Sequence, residues 1–245
     1  MTRPPVVEEF QVTANGQRLS AAKVLPAAGG KPQVLNLHGY GVTANRHSVR
    51  YLLDELAEDG YGSICFEFSG NGDSTGLLDE ASLNGRHTEL MAVAAELDSA
   101  VSPTVVGTSM GAHLAACAVP ELRPRGLVLF CPAAYRAEAA DRPFGRGLLR
   151  AESESPAFAG IGQFDGDLLI VAARQDQVVP PHVATAYFQH AVSARSRSML
   201  WIEDCDHFIH RVVPHRPADR ARIRAGLRDV LITTEKAFYP RGMHR

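Results

Sequence analysis

The strongest constraint on how this chain folds is a pair of short segments, Gly126 to Phe130 and Asp167 to Ala173, that are apolar almost throughout. A strand with one wet face alternates apolar and polar side chains. A run that is apolar on both sides belongs in a parallel sheet covered by helices on each face. Shorter runs at Gln33 to Leu37, Gly62 to Phe68, Thr104 to Val106 and Ser198 to Ile202 fit the same sheet. Helical patterns separate them: Tyr51-Leu52-Leu53 with Leu56 and Ala57, Leu90 to Leu97, Gly111 to Val119, Val183 to Ala191 and Asp219 to Ile232. At the front, Val7 to Thr13 and Leu19 to Leu25 flank Asn15-Gly16, a pair suited to the positive φ of a two-residue hairpin turn. The expected fold is therefore α/β: one doubly wound, mostly parallel sheet with an N-terminal antiparallel hairpin. No repeat or linker divides residues 1–245, so a single domain is expected. One connection, residues 132–166, far exceeds the usual loop of roughly two to six residues and reads as a small cap between the sixth and seventh strands.

Composition removes several function classes. A net charge of −2 and the lack of a basic stripe argue against nucleic acid as a partner. No apolar run approaches the roughly 20 residues that span a bilayer, and Met1 to Phe10 lacks the apolar core of a secretory signal. Cys65, Cys117, Cys131 and Cys205 are far apart with no C-x-x-C pair, so they read as reduced thiols of a cytoplasmic protein.

The chemistry concentrates at Gly107-Thr108-Ser109-Met110-Gly111, where a short apolar strand runs straight into an alanine-rich helix. A serine hydroxyl is a poor nucleophile at neutral pH. It needs exposure on a sharp turn, a base to take its proton, and donors facing the oxyanion that forms. Glycines on both sides permit the turn, and the following helix directs positive potential at the serine. The pentapeptide resembles the nucleophile elbow of the α/β-hydrolase superfamily. That resemblance implies an acid and then a histidine on later strand ends. Asp176 lies just past the strand Leu168 to Ala173, and His207 follows the strand Ser198 to Ile202. Asp165 and Asp167 precede their strand, and Asp204 and Asp206 flank His207 too closely to reach its ring. His182, His190, His210 and His215 compete with His207, and His210 is the nearest rival. His38-Gly39-Tyr40-Gly41 follows an earlier strand, and the Tyr40 and Met110 N–H groups are the expected oxyanion donors. His38 and Gly39, with Phe144 and Leu148 of the cap, are the expected substrate contacts.

A further segment, Phe66-Glu67-Phe68-Ser69-Gly70-Asn71-Gly72-Asp73-Ser74, is similar to the D-x-R-G-x-G-x-S loop of many esterases and lipases. Here Glu67 replaces the usual Asp, Ser69 the frequent Arg, and Ala173 stands where a Gly often precedes the acid. With these motifs the chain resembles, over nearly its whole length, small capped α/β-hydrolase esterases of the feruloyl or cinnamoyl esterase, serine aminopeptidase-like and monoacylglycerol-lipase-like types. The resemblance implies hydrolysis of a small-molecule ester or thioester through an acyl-Ser109 intermediate, with no cofactor. The same triad also serves an acyltransferase or thioesterase that releases or cyclises a chain from an acyl-carrier protein. A ligand-binding receptor on the hydrolase scaffold is a third reading. Arg142, Arg146 and Arg150 of the cap could meet an anionic substituent or simply be solvated. His207 and His210 lie near Asp204 and Asp206, but H-E-x-x-H is absent, so no metal site is expected.

Overall fold

The computed structural model describes residues 3–151 and 153–236, the stretch 232–236 as backbone alone; residues 1–2, 152 and 237–245 lie outside it. In chain order the elements are β1 (Val6–Ala14), β2 (Gln17–Leu25), β3 (Pro32–Leu37), α1 (Arg50–Glu58), β4 (Gly62–Phe66), α2 (Leu83–Ala94), β5 (Thr104–Thr108) and α3 (Met110–Cys117). Then come α4 (Val119–Leu122), β6 (Gly126–Phe130), α5 (Pro156–Gly162), β7 (Asp167–Ala173), α6 (Pro181–His190), β8 (Ser196–Ile202), α7 (Ile209–Val212) and α8 (Pro217–Lys236). One eight-stranded sheet runs β1-β2-β4-β3-β5-β6-β7-β8. Antiparallel pairing is confined to β1 with β2 and β2 with β4. The strands from β3 onward pair with one another in parallel.

Alternation along each strand sorts the apolar residues into two cores. Leu35, Leu37, Val105, Leu127, Leu129, Leu168 and Ile170 face α2, α3, α5 and α6. Val34, Val106, Val128, Phe130, Leu169 and Val171 face α1, α7 and α8. Both faces of the central strands are thus dry, which is why those segments carry no polar alternation. The hairpin turn takes φ of 49° at Asn15 and 72° at Gly16, both positive as a type I′ turn requires.

Three of the differences from the sequence reading have a local reason. Helix α2 begins at Leu83 rather than Leu90, capped by the Ser82 hydroxyl, which accepts from the Gly85 N–H. Its first turns bury Arg86 and Glu89, and these charges concealed the amphipathic pattern. Strand β4 ends at Phe66, and Phe68 turns away with its N–H donated to His38 Nε2 at 3.1 Å. The expected helix Gly111 to Val119 splits into α3 and α4. Pro120 cannot donate to the Ala116 carbonyl four residues earlier, so the first helix closes at Cys117.

The segment between β6 and β7 packs largely into the first core. Phe144, Phe158, Ile161 and Phe164 are all buried. The Phe144 N–H bonds the Ala81 carbonyl, and the Ala140 carbonyl accepts from Asn84 N–H, tying the segment to the start of α2. Helix α5 approaches α3 so closely that a Cβ at Gly160 would collide with the Ala116 carbonyl. On the same helix, a Cβ at Gly162 would meet only the His190 carbonyl, at 3.5 Å.

Two predictions follow from this packing. Gly160→Ala lowers stability by about 1–3 kcal/mol through overpacking, whereas Gly162→Ala shifts it by at most about 0.5 kcal/mol; urea midpoints of the two variants check the contrast. The fold also buries His38, His113 and His210, and burial holds each imidazole down to a pKa of about 3, from 6.5. These groups are neutral when folded and protonate once unfolded, so their stabilisation is complete above pH 6.5 and is lost as pH falls toward 3. Each contributes a slope of up to about 1.4 kcal/mol per pH unit in that window. His113→Leu should flatten the measured stability–pH slope by one proton, and an unchanged slope would contradict it.

Candidate active site

Ser109 sits between β5 and α3 with φ 53° and ψ −109°, a conformation that residues with a side chain rarely adopt. Its neighbours leave no alternative. A Cβ at Gly107 would lie 2.5 Å from the Gly111 carbonyl, and one at Gly111 would collide with the Leu37 carbonyl. The serine is pinned at both backbone groups: its N–H donates to Phe130 O at 2.8 Å, and its carbonyl accepts from Ala112 and Ala133 N–H, each at 3.1 Å. Gly39 lies across from it, where a Cβ would stand 3.3 Å from the Ser109 Cβ.

The loops after β7 and β8 complete a hydrogen-bonded chain. His207 Nδ1–H donates to Asp176 Oδ2 at 2.7 Å, because a carboxylate only accepts. The Nε2 lone pair is thereby left facing Ser109, whose hydroxyl donates to it at 3.0 Å. Asp176 is nearly sealed from solvent, and its other oxygen accepts from Val178 and Val179 N–H at 2.9 and 2.8 Å. The rivals lie elsewhere: Asp167 pairs with Arg195 at the opposite edge of the sheet, and Gln175 donates to Asp204 at 3.3 Å. The N–H groups of Tyr40 and Met110 donate to no other group among the described residues. Tyr40 lines the same cavity as Ser109, and Met110 follows Ser109 as the first residue of α3.

A cavity of about 120 Å³ opens on Ser109 and His207. Tyr40, Thr43, Asn45, Ser48, Phe208 and Arg211 form much of its wall. Of the expected substrate contacts, Gly39 and His38 reach this wall, but the His38 ring is committed inward. It accepts from Phe68 N–H and donates through Nδ1 to the Gly39 carbonyl at 2.7 Å. Phe144 and Leu148 are not among the residues that line it. Phe144 is buried edge-on against the Tyr40 ring at 5.2 Å and under Arg86, and Leu148 packs on the first core. The segment 132–166 therefore borders the cavity without walling it.

Sequence reasoning missed the contribution of α7. His210, weighed only as a rival base, bridges Thr108 Oγ1 at 2.9 Å and the Tyr51 hydroxyl at 3.1 Å. It braces the serine turn from behind. Phe208 and Arg211 reach the cavity because α7 begins immediately after His207, a placement that no periodicity in four residues could announce. The cation beneath the Glu67 to Ser74 loop comes from a residue the sequence reading did not single out. Ser69 stands where arginine is frequent, and Arg86 of α2 supplies the charge, bonded to Asn71 Oδ1 at 3.2 Å and Glu89 at 3.3 Å. Cys131, Asp176 and His207 are the one group of possible metal ligands among the described residues. Burial, reinforced by the Asp176 charge, pushes the Cys131 thiol far above its usual range, so it stays protonated and is a poor ligand.

A family model described as serine aminopeptidase, S33, matches residues 30–154, the stretch that carries Tyr40 and the Ser109 turn. No curated protein matches the chain. Solved structures do. A serine hydrolase without a lid from Xanthomonas campestris is 20% identical with a TM-score of 0.66, covering 94% of this chain and 97% of its own. The esterase Est1E from Butyrivibrio proteoclasticus, solved with ferulic acid, is 15% identical with a TM-score of 0.70, covering 92% and 98%. A thermophilic esterase from Thermogutta terrifontis is 16% identical with a TM-score of 0.70, covering 91% and 99%. No helix among the described residues is long and apolar enough to cross a membrane. The matched motif region, the shared sheet and the strained serine turn agree: the chain belongs to the serine aminopeptidase S33 family of α/β-hydrolases.

Proposed function

We propose that the chain is a serine esterase in which Ser109 is the nucleophile, His207 the general base and Asp176 the group that orients it. The observation that carries this reading is the continuous chain from Asp176 Oδ2 through His207 to Ser109 Oγ, at 2.7 and 3.0 Å. As Ser109 Oγ attacks the ester carbonyl, its proton passes to His207 Nε2, and the imidazolium is stabilised by Asp176. The carbonyl oxygen becomes an oxyanion facing the Tyr40 and Met110 N–H groups. Collapse expels the alcohol, which takes the proton from His207 and leaves an acyl-Ser109. Water, deprotonated by the same histidine, then attacks the acyl carbon and restores the serine.

Substrate chemistry separates this from peptide cleavage at a free N-terminus. Holding a substrate ammonium calls for a carboxylate, and among the described residues no acidic side chain lines the cavity. Nothing in the site's geometry favours transfer from an acyl-carrier protein, or a receptor role, over hydrolysis of a small ester.

A fluorophosphonate probe should label the protein at Ser109, and Ser109→Ala should abolish labelling and lower kcat on a p-nitrophenyl ester by about 10⁴-fold or more. Asp176→Asn should leave the fold intact yet lower kcat by about 10³–10⁴-fold, through loss of the productive tautomer. Full turnover in the Ser109→Ala variant would exclude the reading.

A further inference from the structure

The cavity beside Ser109 carries a charge that the proposed ester chemistry does not itself use. Its wall consists of hydroxyl, amide, imidazole, backbone and apolar groups plus one guanidinium, that of Arg211. The Arg211 guanidinium carbon lies 4.5 Å from the centroid of the Phe208 ring, which is 45% exposed at the mouth. The ring face attracts the cation without taking up its N–H donors as a carboxylate would, so they can meet an anion.

Neighbouring arginines are spent on the protein itself. Arg174 pairs with Glu203 at 3.1 Å, Arg216 with Asp219 at 3.8 Å, and Arg224 with Asp59 at 2.7 Å. Two of the cap arginines are engaged too: Arg142 donates to the Arg146 and Gly147 carbonyls, and Arg150 to the Val178 carbonyl. Arg211 pairs with no carboxylate among the described residues. A cation with no carboxylate partner among the described residues, lying over Phe208 on the wall of the cavity that holds the nucleophile, is placed to meet a charge brought by the substrate.

We infer that Arg211 selects esters bearing a carboxylate close to the scissile bond. Resting on the serine-esterase reading, this names its substrate class. Arg211 and Ser109 line the same small cavity, so the carboxylate must lie within a short chain of the scissile bond. The half-ester of a short dicarboxylic acid fits, as does a short acyl ester of a hydroxy acid. The two differ in whether the carboxylate belongs to the acyl or the alcohol part.

Two matched pairs test the inference: p-nitrophenyl hemiglutarate against p-nitrophenyl valerate, and 3-acetoxybenzoate against phenyl acetate, each corrected for its uncatalysed rate. The native protein should favour the anionic member of at least one pair by about tenfold or more in kcat/KM. In Arg211→Gln that ratio should fall toward one, Arg211→Lys should retain part of it, and added salt should shrink it in the native protein. Equal or better use of the neutral esters in both pairs overturns the inference, as does a ratio that survives Arg211→Gln. Ser109-dependent turnover of the neutral esters without anion preference removes Arg211 alone and leaves the esterase reading standing. If no ester is turned over in a Ser109-dependent way, the esterase reading fails instead. Calorimetry with glutarate on the Ser109→Ala protein then still decides Arg211: binding weakened about tenfold by Arg211→Gln supports the role, and no binding refutes it.

Discussion

Contact between the start of α3 and the ends of β3 and β5 governs the rest of this molecule. Gly111 lies against the Leu37 carbonyl and Gly107 against the Gly111 carbonyl, with no room at either place for a methyl group. Holding the helix start that close forces Ser109 into a positive φ, a strain of about 1–3 kcal/mol. Two cores, one on each face of the sheet, keep the strand and helix from relaxing it. The strain lifts the serine side chain clear of the sheet edge and leaves the first N–H of α3 unpaired beside it. The strained serine and the unpaired N–H are products of the same contact.

The remaining groups are held by shorter-range devices that share one logic, which is to satisfy each polar atom before the substrate arrives. Asp176 closes its own loop by accepting two backbone N–H groups with one oxygen, leaving the other for His207. His38 uses both ring nitrogens on backbone groups and fixes the loop that carries Tyr40. His210 spans Thr108 and Tyr51 and joins the serine turn to α1. These second histidines are too deeply buried to charge near neutral pH, so they brace the site without competing for its proton. Arg211 is the exception, a charge with no carboxylate partner among the described residues.

The sheet was legible because dry strands between helices leave an unbroken apolar signature, and the hairpin because Asn15-Gly16 demands a particular turn. Ser109, Asp176 and His207 were legible for a related reason: each stands at a strand end, and strand ends of a parallel sheet share one edge. Helix α2 was partly hidden because its buried face contains Arg86 and Glu89, which satisfy each other. Where Phe144 and Leu148 pack was not legible, because an apolar residue in a long connection packs equally well under that connection or over a ligand.

What the sequence determined by itself was the order of strands and helices, the strained turn, and which groups arrive at the sheet's active edge. Those properties follow from local periodicity, from glycine's tolerance of positive φ and from the direction of parallel strands. The tertiary structure alone decided what surrounds the serine. The segment 132–166 went into the core because Gly160 allows α5 to lie on α3, and the cavity wall fell to Tyr40, Phe208 and Arg211 instead. Those residues meet across more than 160 positions of chain, and their contact depends on loop paths that side-chain pattern does not encode.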